Sequence, residues 1–191
     1  MTEAELKILE GCLSGKRSAQ NKLYSRYAPV LLGICLRYAR NKDEAEDILQ
    51  DGFIKIFTSI SGFRGEGSFE GWLKRIIVNT AITHNKQSLK HYFHADIDAT
   101  DETQIIKDDA VDELPLVKIP QAALMSLIQK LPVGYKTVFN LYVFEHYTHQ
   151  EIADMMGISV NTSKSQLMKA RRVLVTKINQ IVESKAFNNE E

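Results

Sequence analysis

The residues best suited to chemistry lie between positions 148 and 172, and the chemistry they suit is hydrogen bonding and charge neutralisation. Gly157 can form a tight turn and Ser159 a helix cap, which together separate two short helices in a helix-turn-helix pattern. With residues about 100° apart, the second helix has an apolar inner side and a polar outer side. The outer side and its edge carry the candidate DNA-binding residues Asn161, Thr162, Lys164, Ser165, Met168, Lys169 and Arg172. Amides and hydroxyls can bond base edges while cations bind phosphates, so the segment predicts a helix that reads a major groove; an ordinary helical hairpin with a charged face is the alternative.

A second set of polar residues lies on the helix predicted near 68–90 and in the loop before it. Arg75, Asn79, Ile82 and Lys86 recur at steps of four, three and four, and Lys74 adds charge elsewhere on the helix. Cations at this spacing can contact successive phosphates, and an asparagine can both donate to and accept from a base edge. The glycine-rich loop 61–67 holds Phe63 and Arg64 and can accept an unstacked base. The alternative is a solvated basic stripe.

A third surface lies on the helix predicted near 43–60. Its core side is apolar, whereas the opposite side is polar: Asp47, Gln50, Asp51, Ile54 and Thr58. Ile54 lies in the middle of that polar side. Single exposed isoleucines are common, so a solvated face is one reading. An apolar centre ringed by carboxylates and an amide is also typical of a protein-binding helix.

The helices that position these residues fall into two blocks. Apolar residues recur at three- and four-residue steps without strand-like alternation, which predicts an all-α fold. We expect Asp43 to cap the helix near 43–60 and Ser68 to cap the next. In the second block the pattern predicts helices at about 121–130, 134–145, 149–156 and 160–183.

An acidic segment separates the two blocks. Formal net charge is zero, but residues 1–90 hold 14 Lys/Arg against 10 Asp/Glu, residues 91–120 hold 2 against 8, and residues 121–191 hold 8 against 6. Two prolines follow at Pro115 and Pro120. The sequence therefore predicts a first helical domain at 1–92, a flexible acidic linker at 93–120 and a second domain at 121–185.

Other classes of site have little support in the sequence. The five histidines show no metal-ligand or catalytic-triad spacing, and Cys12 and Cys35 lie in apolar helical contexts typical of buried reduced thiols. We therefore expect no catalytic residues, metal or cofactor and no small-molecule substrate. No apolar run resembles a signal peptide or a membrane span, so we expect a cytoplasmic protein without membrane insertion.

The motifs resemble a known family. The segments 47–57, 63–65 and 69–80 resemble region two of the extracytoplasmic-function (ECF) sigma factors of bacterial RNA polymerase. The segment 131–142 and the helix-turn-helix that follows resemble region four, and residues 162–167 have a form found in such sigma factors from Bacteroidetes-type bacteria.

The resemblance implies a role for each surface. Asp47, Gln50, Asp51 and Ile54 correspond to the helix that docks on core RNA polymerase. The minus-ten element would be melted and held by residues of the loop and the next helix: Phe63, Arg64, Lys74, Arg75, Asn79 and Lys86. The outer side of the helix-turn-helix would read the minus-thirty-five element. Lys164, Lys169 and Gln166 stand where many members have arginine, and Ser163 where many have an apolar residue.

These features favour a sigma factor that binds core RNA polymerase and promoter DNA and directs transcription initiation. The resemblance also implies a cognate anti-sigma factor as a partner. A conventional two-domain transcriptional regulator would share the helix-turn-helix, but it does not account for the surfaces in the first block. An enzyme is the third class, and nothing in the residue spacing favours it.

Overall fold

The computed structural model describes residues 1–97 and 119–187, and the side chains of all of these except 94–97 and 184–187. Within these residues every regular element is helical and no strand is present, which confirms the predicted all-α fold. The chain forms two compact units, Met1–Lys86 and Gln87–Glu191.

The first unit is a bundle of four α-helices. They are α1 (Glu3–Leu13), α2 (Arg17–Tyr38), α3 (Lys42–Ser59) and α4 (Phe69–His84), with a short 3₁₀ turn at Ile60–Gly62. Helix α2 packs against α1, α3 and α4 and is therefore the centre of the bundle. The core consists of fully or nearly fully buried apolar side chains from three helices: Leu23, Leu31, Ile34, Ile48, Ile56, Phe69, Leu73 and Ile77.

The start of α3 differs from the prediction. Asn41, not Asp43, is the N-cap: its side chain accepts a hydrogen bond of 2.8 Å from the Glu44 amide. Asp43 lies instead in the first turn, where a carboxylate still interacts favourably with the positive end of the helix dipole. The next predicted cap is confirmed, because the Ser68 hydroxyl accepts a hydrogen bond of 3.0 Å from the Gly71 amide.

The prediction of one helix over 68–90 is wrong. Helix α4 ends at His84, and a new helix, α5 (Lys86–Ile97), begins after Asn85. The side chain of Asn85 is buried and donates a hydrogen bond of 3.4 Å to the carbonyl of Tyr38, which holds the turn against α2. Helix α5 continues five residues into the segment predicted as a linker, and residues 98–118 of that segment lie outside the described residues.

The second unit contains α5 from its second residue onward and four more helices. These are α6 (Gln121–Gln129), α7 (Val133–Val143), α8 (His149–Met156) and α9 (Val160–Phe187), and α9 packs against α6, α7 and α8. The four predicted helices are confirmed to within a few residues. Their buried side chains come mainly from α7, α8 and α9: Val138, Phe139, Leu141, Ile152, Leu167, Ala170, Leu174 and Ile178.

The turn between α8 and α9 has the geometry that the sequence predicts. Gly157 adopts the left-handed conformation with φ of 67°, which a residue without a Cβ reaches at little cost. The Ser159 hydroxyl then accepts a hydrogen bond of 2.9 Å from the Thr162 amide and caps α9. At the start of α8, Thr148 and Glu151 form a reciprocal capping box.

Candidate functional site

The polar face of α3 is fully displayed on the first unit. Asp47, Gln50, Asp51 and Ile54 are all exposed, and Ile54 has 58% of its surface accessible. The opposite side of α3 is buried, so the predicted division into a core side and a polar side is confirmed. Next to Ile54 along the helix, Phe53 is buried and its ring lies 4.6 Å from that of Tyr24, which is half exposed. The face therefore offers an apolar centre within an acidic border.

The glycine-rich loop before α4 is closed against an aromatic cluster. The ring of Phe63 lies 5.2 Å from Phe69 and 5.4 Å from Trp72, and Phe63 and Trp72 are partly exposed. Gly65 and Gly67 have φ of 76° and 90°, values that glycine tolerates and other residues rarely adopt. These turns leave Arg64 exposed at the tip, beside two aromatic rings that still present an accessible edge.

The cationic stripe on α4 is mostly accessible. Arg75 and Asn79 are exposed, and Lys74 is partly exposed with its amine 2.7 Å from Glu70 in an ion pair. Lys86 is also exposed, but it is the first residue of α5 rather than a continuation of α4. On the core side of α4, Ile77 and Ala81 are buried, whereas Thr83 is exposed.

The residues predicted to bind DNA lie on the accessible side of α9. Asn161, Lys164 and Arg172 are exposed; Thr162, Ser165, Met168 and Lys169 are partly exposed. The hydroxyls of Thr162 and Ser165 bond within the helix, to Ser159 at 2.8 Å and to the Thr162 carbonyl at 3.0 Å. The fully exposed side chains of this face are thus one amide and two cations.

Two positions on α9 that depart from the family pattern are buried and hydrogen-bonded. The Ser163 hydroxyl lies 2.9 Å from Nδ1 of His149, whose ring stacks on Tyr142 at 4.6 Å. Gln166 is likewise fully buried, and its Oε1 accepts a hydrogen bond of 3.2 Å from the Tyr92 hydroxyl. The pattern of residues did not predict this role of Tyr92; its ring packs against the glycine at position 134, and that glycine is the one local sign of the contact in the sequence.

At the start of α3, a cluster of polar contacts around Glu44 joins α3 to Arg40, which follows α2, and to α4. Glu44 is buried and accepts hydrogen bonds from the backbone amide and the Nε of Arg40, while Nε2 of His84 lies 3.6 Å away. Burial raises the pKa of the Glu44 carboxyl, but the bonds from Arg40 outweigh it, so the net pKa lies below the ordinary value. This cluster fixes the start of α3 without occupying the exposed face.

The two cysteines lie in the core of the first unit. Both cysteines are buried and unpaired, and burial raises the pKa of the Cys35 thiol to about 12. The described part of the chain has no group of three or more His, Cys, Asp or Glu side chains placed to hold a metal ion. Within residues 1–97 and 119–187, no helix is both long enough and apolar enough to span a membrane.

Comparison with known proteins agrees with this geometry. The family model described as Sigma-70 region 2 matches residues 23–91, and the model described as Sigma-70, region 4 matches residues 121–174. These segments contain, between them, all three exposed faces.

Two curated relatives align over nearly the whole chain. The RNA polymerase sigma-H factor of Pseudomonas aeruginosa is 28% identical, with 90% of this chain and 92% of that protein covered. The ECF RNA polymerase sigma-E factor of Haemophilus influenzae is 31% identical, with coverage of 92% and 95%. A solved structure of the sigma factor RpoE in complex with the anti-sigma factor NepR from Bartonella quintana has a TM-score of 0.50 at 18% identity, covers 83% of this chain and 96% of that one, and shows likeness of fold. The chain therefore belongs to the ECF sigma factors, which direct promoter-specific transcription initiation by RNA polymerase.

Proposed function

We propose that each of the three exposed faces carries out one of the binding functions of a sigma factor. The α3 face binds core polymerase, the loop 61–67 with α4 holds the minus-ten element, and α9 reads the minus-thirty-five element. Residues 1–92 and 121–185 are the corresponding domains, joined by 93–120. The observation that carries the proposal is the exposure of Ile54 at the centre of an acidic face, because a DNA-binding role alone gives no reason for that surface.

The chemistry of the α3 face suits a protein partner of complementary charge. The apolar side chain of Ile54 gains free energy when it is buried, and fully burying such a side chain contributes about 1.5–3 kcal/mol. Asp47 and Asp51 beside it repel nucleic acid and favour basic side chains on the partner. Gln50 can add hydrogen bonds of either polarity. This combination supports Asp47, Gln50, Asp51 and Ile54 as the core-binding residues.

The loop and α4 suit a separated DNA strand. Arg64 and Arg75 are exposed cations, Lys86 extends the charge, and Asn79 stands between them with an amide that can read a base edge. Lys74 is held by Glu70 in an exposed pair of small energy, which a phosphate can replace. The partly exposed ring of Phe63 offers a surface against which an unstacked base can lie. Extrusion of a base costs a few kcal/mol, so binding energy alone supports melting without covalent chemistry.

Reading of the minus-thirty-five element rests on α9. Asn161 can bond a base edge in the major groove, while Lys164, Lys169 and Arg172 suit the flanking phosphates. Lysine lacks the planar fork of arginine, so Lys164 and Lys169 act on phosphates more than on bases. Thr162, Ser165 and Met168 complete the face and contribute hydroxyl and apolar contacts.

We also infer the setting in which the protein works. Its activity requires RNA polymerase, which supports a cytoplasmic protein without membrane insertion. The solved relative is bound to an anti-sigma factor, and this supports a cognate anti-sigma factor as a regulatory partner of this chain. The proposed mechanism uses only binding energy, so it needs no catalytic residue, cofactor or small-molecule substrate.

The test adds the purified chain to core polymerase and measures transcripts from a promoter that it recognises. Changing Asp51→Ala together with Ile54→Ala is expected to weaken core binding by about tenfold or more, because one tenfold step is about 1.4 kcal/mol. Binding of the same variant to minus-thirty-five DNA should be unchanged. Core affinity is measured by fluorescence anisotropy, and DNA affinity by the same method with a labelled duplex.

The matched control is Lys42→Ala with Glu46→Ala, which removes an exposed ion pair of 3.3 Å from the same helix and leaves net charge unchanged. This control should bind core normally. Equal losses in both variants, or equal losses of core and DNA binding, contradict the assignment of the α3 face. Absence of transcripts with the unchanged chain contradicts the proposed function as a whole.

A further inference from the structure

Helix α5 contacts α7 and α9 of the second unit through Tyr92. The ring of Tyr92 lies 6.0 Å from that of Tyr135 on α7, and its hydroxyl donates to Gln166 on α9 at 3.2 Å. Leu89, one turn earlier in α5, is buried as well. We call the space formed by Gly134, Tyr135 and Gln166 the tyrosine slot.

The depth of the slot depends on a missing side chain. A Cβ at position 134 would lie 2.6 Å from Cδ1 of the Tyr92 ring and 2.9 Å from Oε1 of Gln166, distances shorter than real Cβ contacts. Glycine therefore lets the ring approach the α7 backbone. Because Gln166 is fully buried and lies on the helix that carries the DNA-reading face, the slot couples α5 directly to that helix.

When Tyr92 occupies the slot, the length of the chain limits which promoter elements can be bound at the same time. Tyr92 follows Asn79 by 13 residues. Such a stretch spans at most about 45 Å when fully extended, and about 20 Å when helical. Elements centred near minus ten and minus thirty-five are about 25 base pairs apart, which is about 85 Å along DNA. A chain with Tyr92 in the slot cannot place Asn79 on one element and α9 on the other.

We propose that the tyrosine slot is an intramolecular docking site for α5, occupied in the free chain and vacated when both promoter elements are bound. This inference rests on the proposed roles of Asn79 and α9. Once Tyr92 leaves, residues 98–120 also contribute to the reach, and these 23 residues can extend to about 80 Å. The chain with Tyr92 in the slot can therefore bind one element at a time, and the chain with Tyr92 released can bind both.

The experiment locks the slot with a reversible cross-link. Tyr92→Cys and Gln166→Cys are combined and bridged with a short bis-maleimide that contains an internal disulfide. Cys12 and Cys35 are buried, and the unchanged chain treated with the reagent reports any reaction at them. Assembled with core polymerase, the bridged chain should lose transcription from a promoter with both elements by about tenfold or more, since both contacts can no longer act together. Reduction of the linker in the same sample should restore the activity.

The matched control bridges Tyr135→Cys to Gln166→Cys, which joins α7 to α9 within the second unit and leaves α5 unbridged. It should transcribe normally. Full activity of the bridged 92–166 chain overturns the inference, as does an equal loss in the control or a loss that reduction does not reverse. In each of these cases the unchanged chain still transcribes with core, whereas its silence would overturn the proposed function instead.

Discussion

At the scale of single residues, hydrogen bonding explains how two polar side chains of α9 are accommodated in the core. The buried hydroxyl of Ser163 lies 2.9 Å from Nδ1 of His149, and the His149 ring is in turn stacked on Tyr142. Gln166 is also buried, and its Oε1 accepts a hydrogen bond from the Tyr92 hydroxyl. A buried polar group costs little when its hydrogen bonds are made. Both residues therefore belong to the interior of the second unit and not to the exposed side of α9.

Glu44 gives a prediction at the same scale. Its pKa is lowered in the folded chain, because the hydrogen bonds from Arg40 outweigh burial. A lowered pKa stabilises the fold at a pH above the ordinary value of 4.5, and the benefit disappears as pH falls through the folded value. Glu44→Gln should therefore lower the free energy of unfolding at pH 7 by about 1–3 kcal/mol, and the difference should shrink below pH 4.5.

Urea denaturation of both proteins at several pH values measures this difference. The control is Glu46→Gln, which changes an exposed carboxylate two residues further along the same helix. Its free energy of unfolding should differ little from that of the unchanged chain at every pH. A Glu44→Gln penalty that stays constant from pH 7 into the acid range would show that the charge of Glu44 is not what stabilises the start of α3.

At the scale of elements, the contact of α5 with α7 predicts that a substitution which usually stabilises a helix will destabilise this one. Gly134→Ala adds a good helix former, which in an open helix stabilises by about 0.5–1 kcal/mol. In this chain the new Cβ meets the Tyr92 ring, so the change should instead destabilise the second unit by about 1–3 kcal/mol. In a Tyr92→Ala background the ring is gone and Oε1 of Gln166, the end of a flexible side chain, can shift away from the new Cβ, so the same change should be close to neutral. Thermal unfolding of the four proteins of this cycle measures the coupling, and additive effects would show that the ring does not rest on Gly134.

The sequence predicted the elements better than their junctions. Periodicity located α3 and α6 to α9 because apolar residues recur at helical spacing in each of them. It missed the break at Asn85, since the stripe on α4 runs on into α5 and the cause of the break is a contact with Tyr38, 47 residues away. It placed the cap of α3 at Asp43 because Asn41 and Asp43 are both good caps, and only the path of the chain decides between them. The exposed faces were predictable from the helical wheel, whereas the partner of Gln166 was not, because it comes from a distant helix.

At the scale of the whole molecule, the two units must act together, although each binds through a small surface. A single helix-turn-helix with a few cations binds DNA weakly and with strong salt dependence. If the α3 face binds polymerase as proposed, the later DNA contacts become intramolecular, which raises their effective concentration. On that proposal neither unit needs high affinity for DNA alone. The length of the chain between the units then determines whether both DNA contacts can form at the same time.

The last prediction concerns that length. Residues 98–120 can extend to about 80 Å, and the 12 residues of α5 add about 18 Å, which together exceed the 85 Å or so between the elements. Removing residues 103–112 lowers the reach to about 63 Å, so transcription from a two-element promoter should fall by about tenfold or more. Inserting ten Gly/Ser residues should cost less than about 0.6 kcal/mol, because loop entropy grows slowly with length.

Replacing 103–112 by ten Gly/Ser residues keeps the length and removes the acidic charge, so it separates reach from composition. Run-off transcription with each variant decides between them: a deletion as active as the unchanged chain would show that reach does not limit simultaneous binding, and a loss on replacement equal to that on deletion would assign the effect to charge.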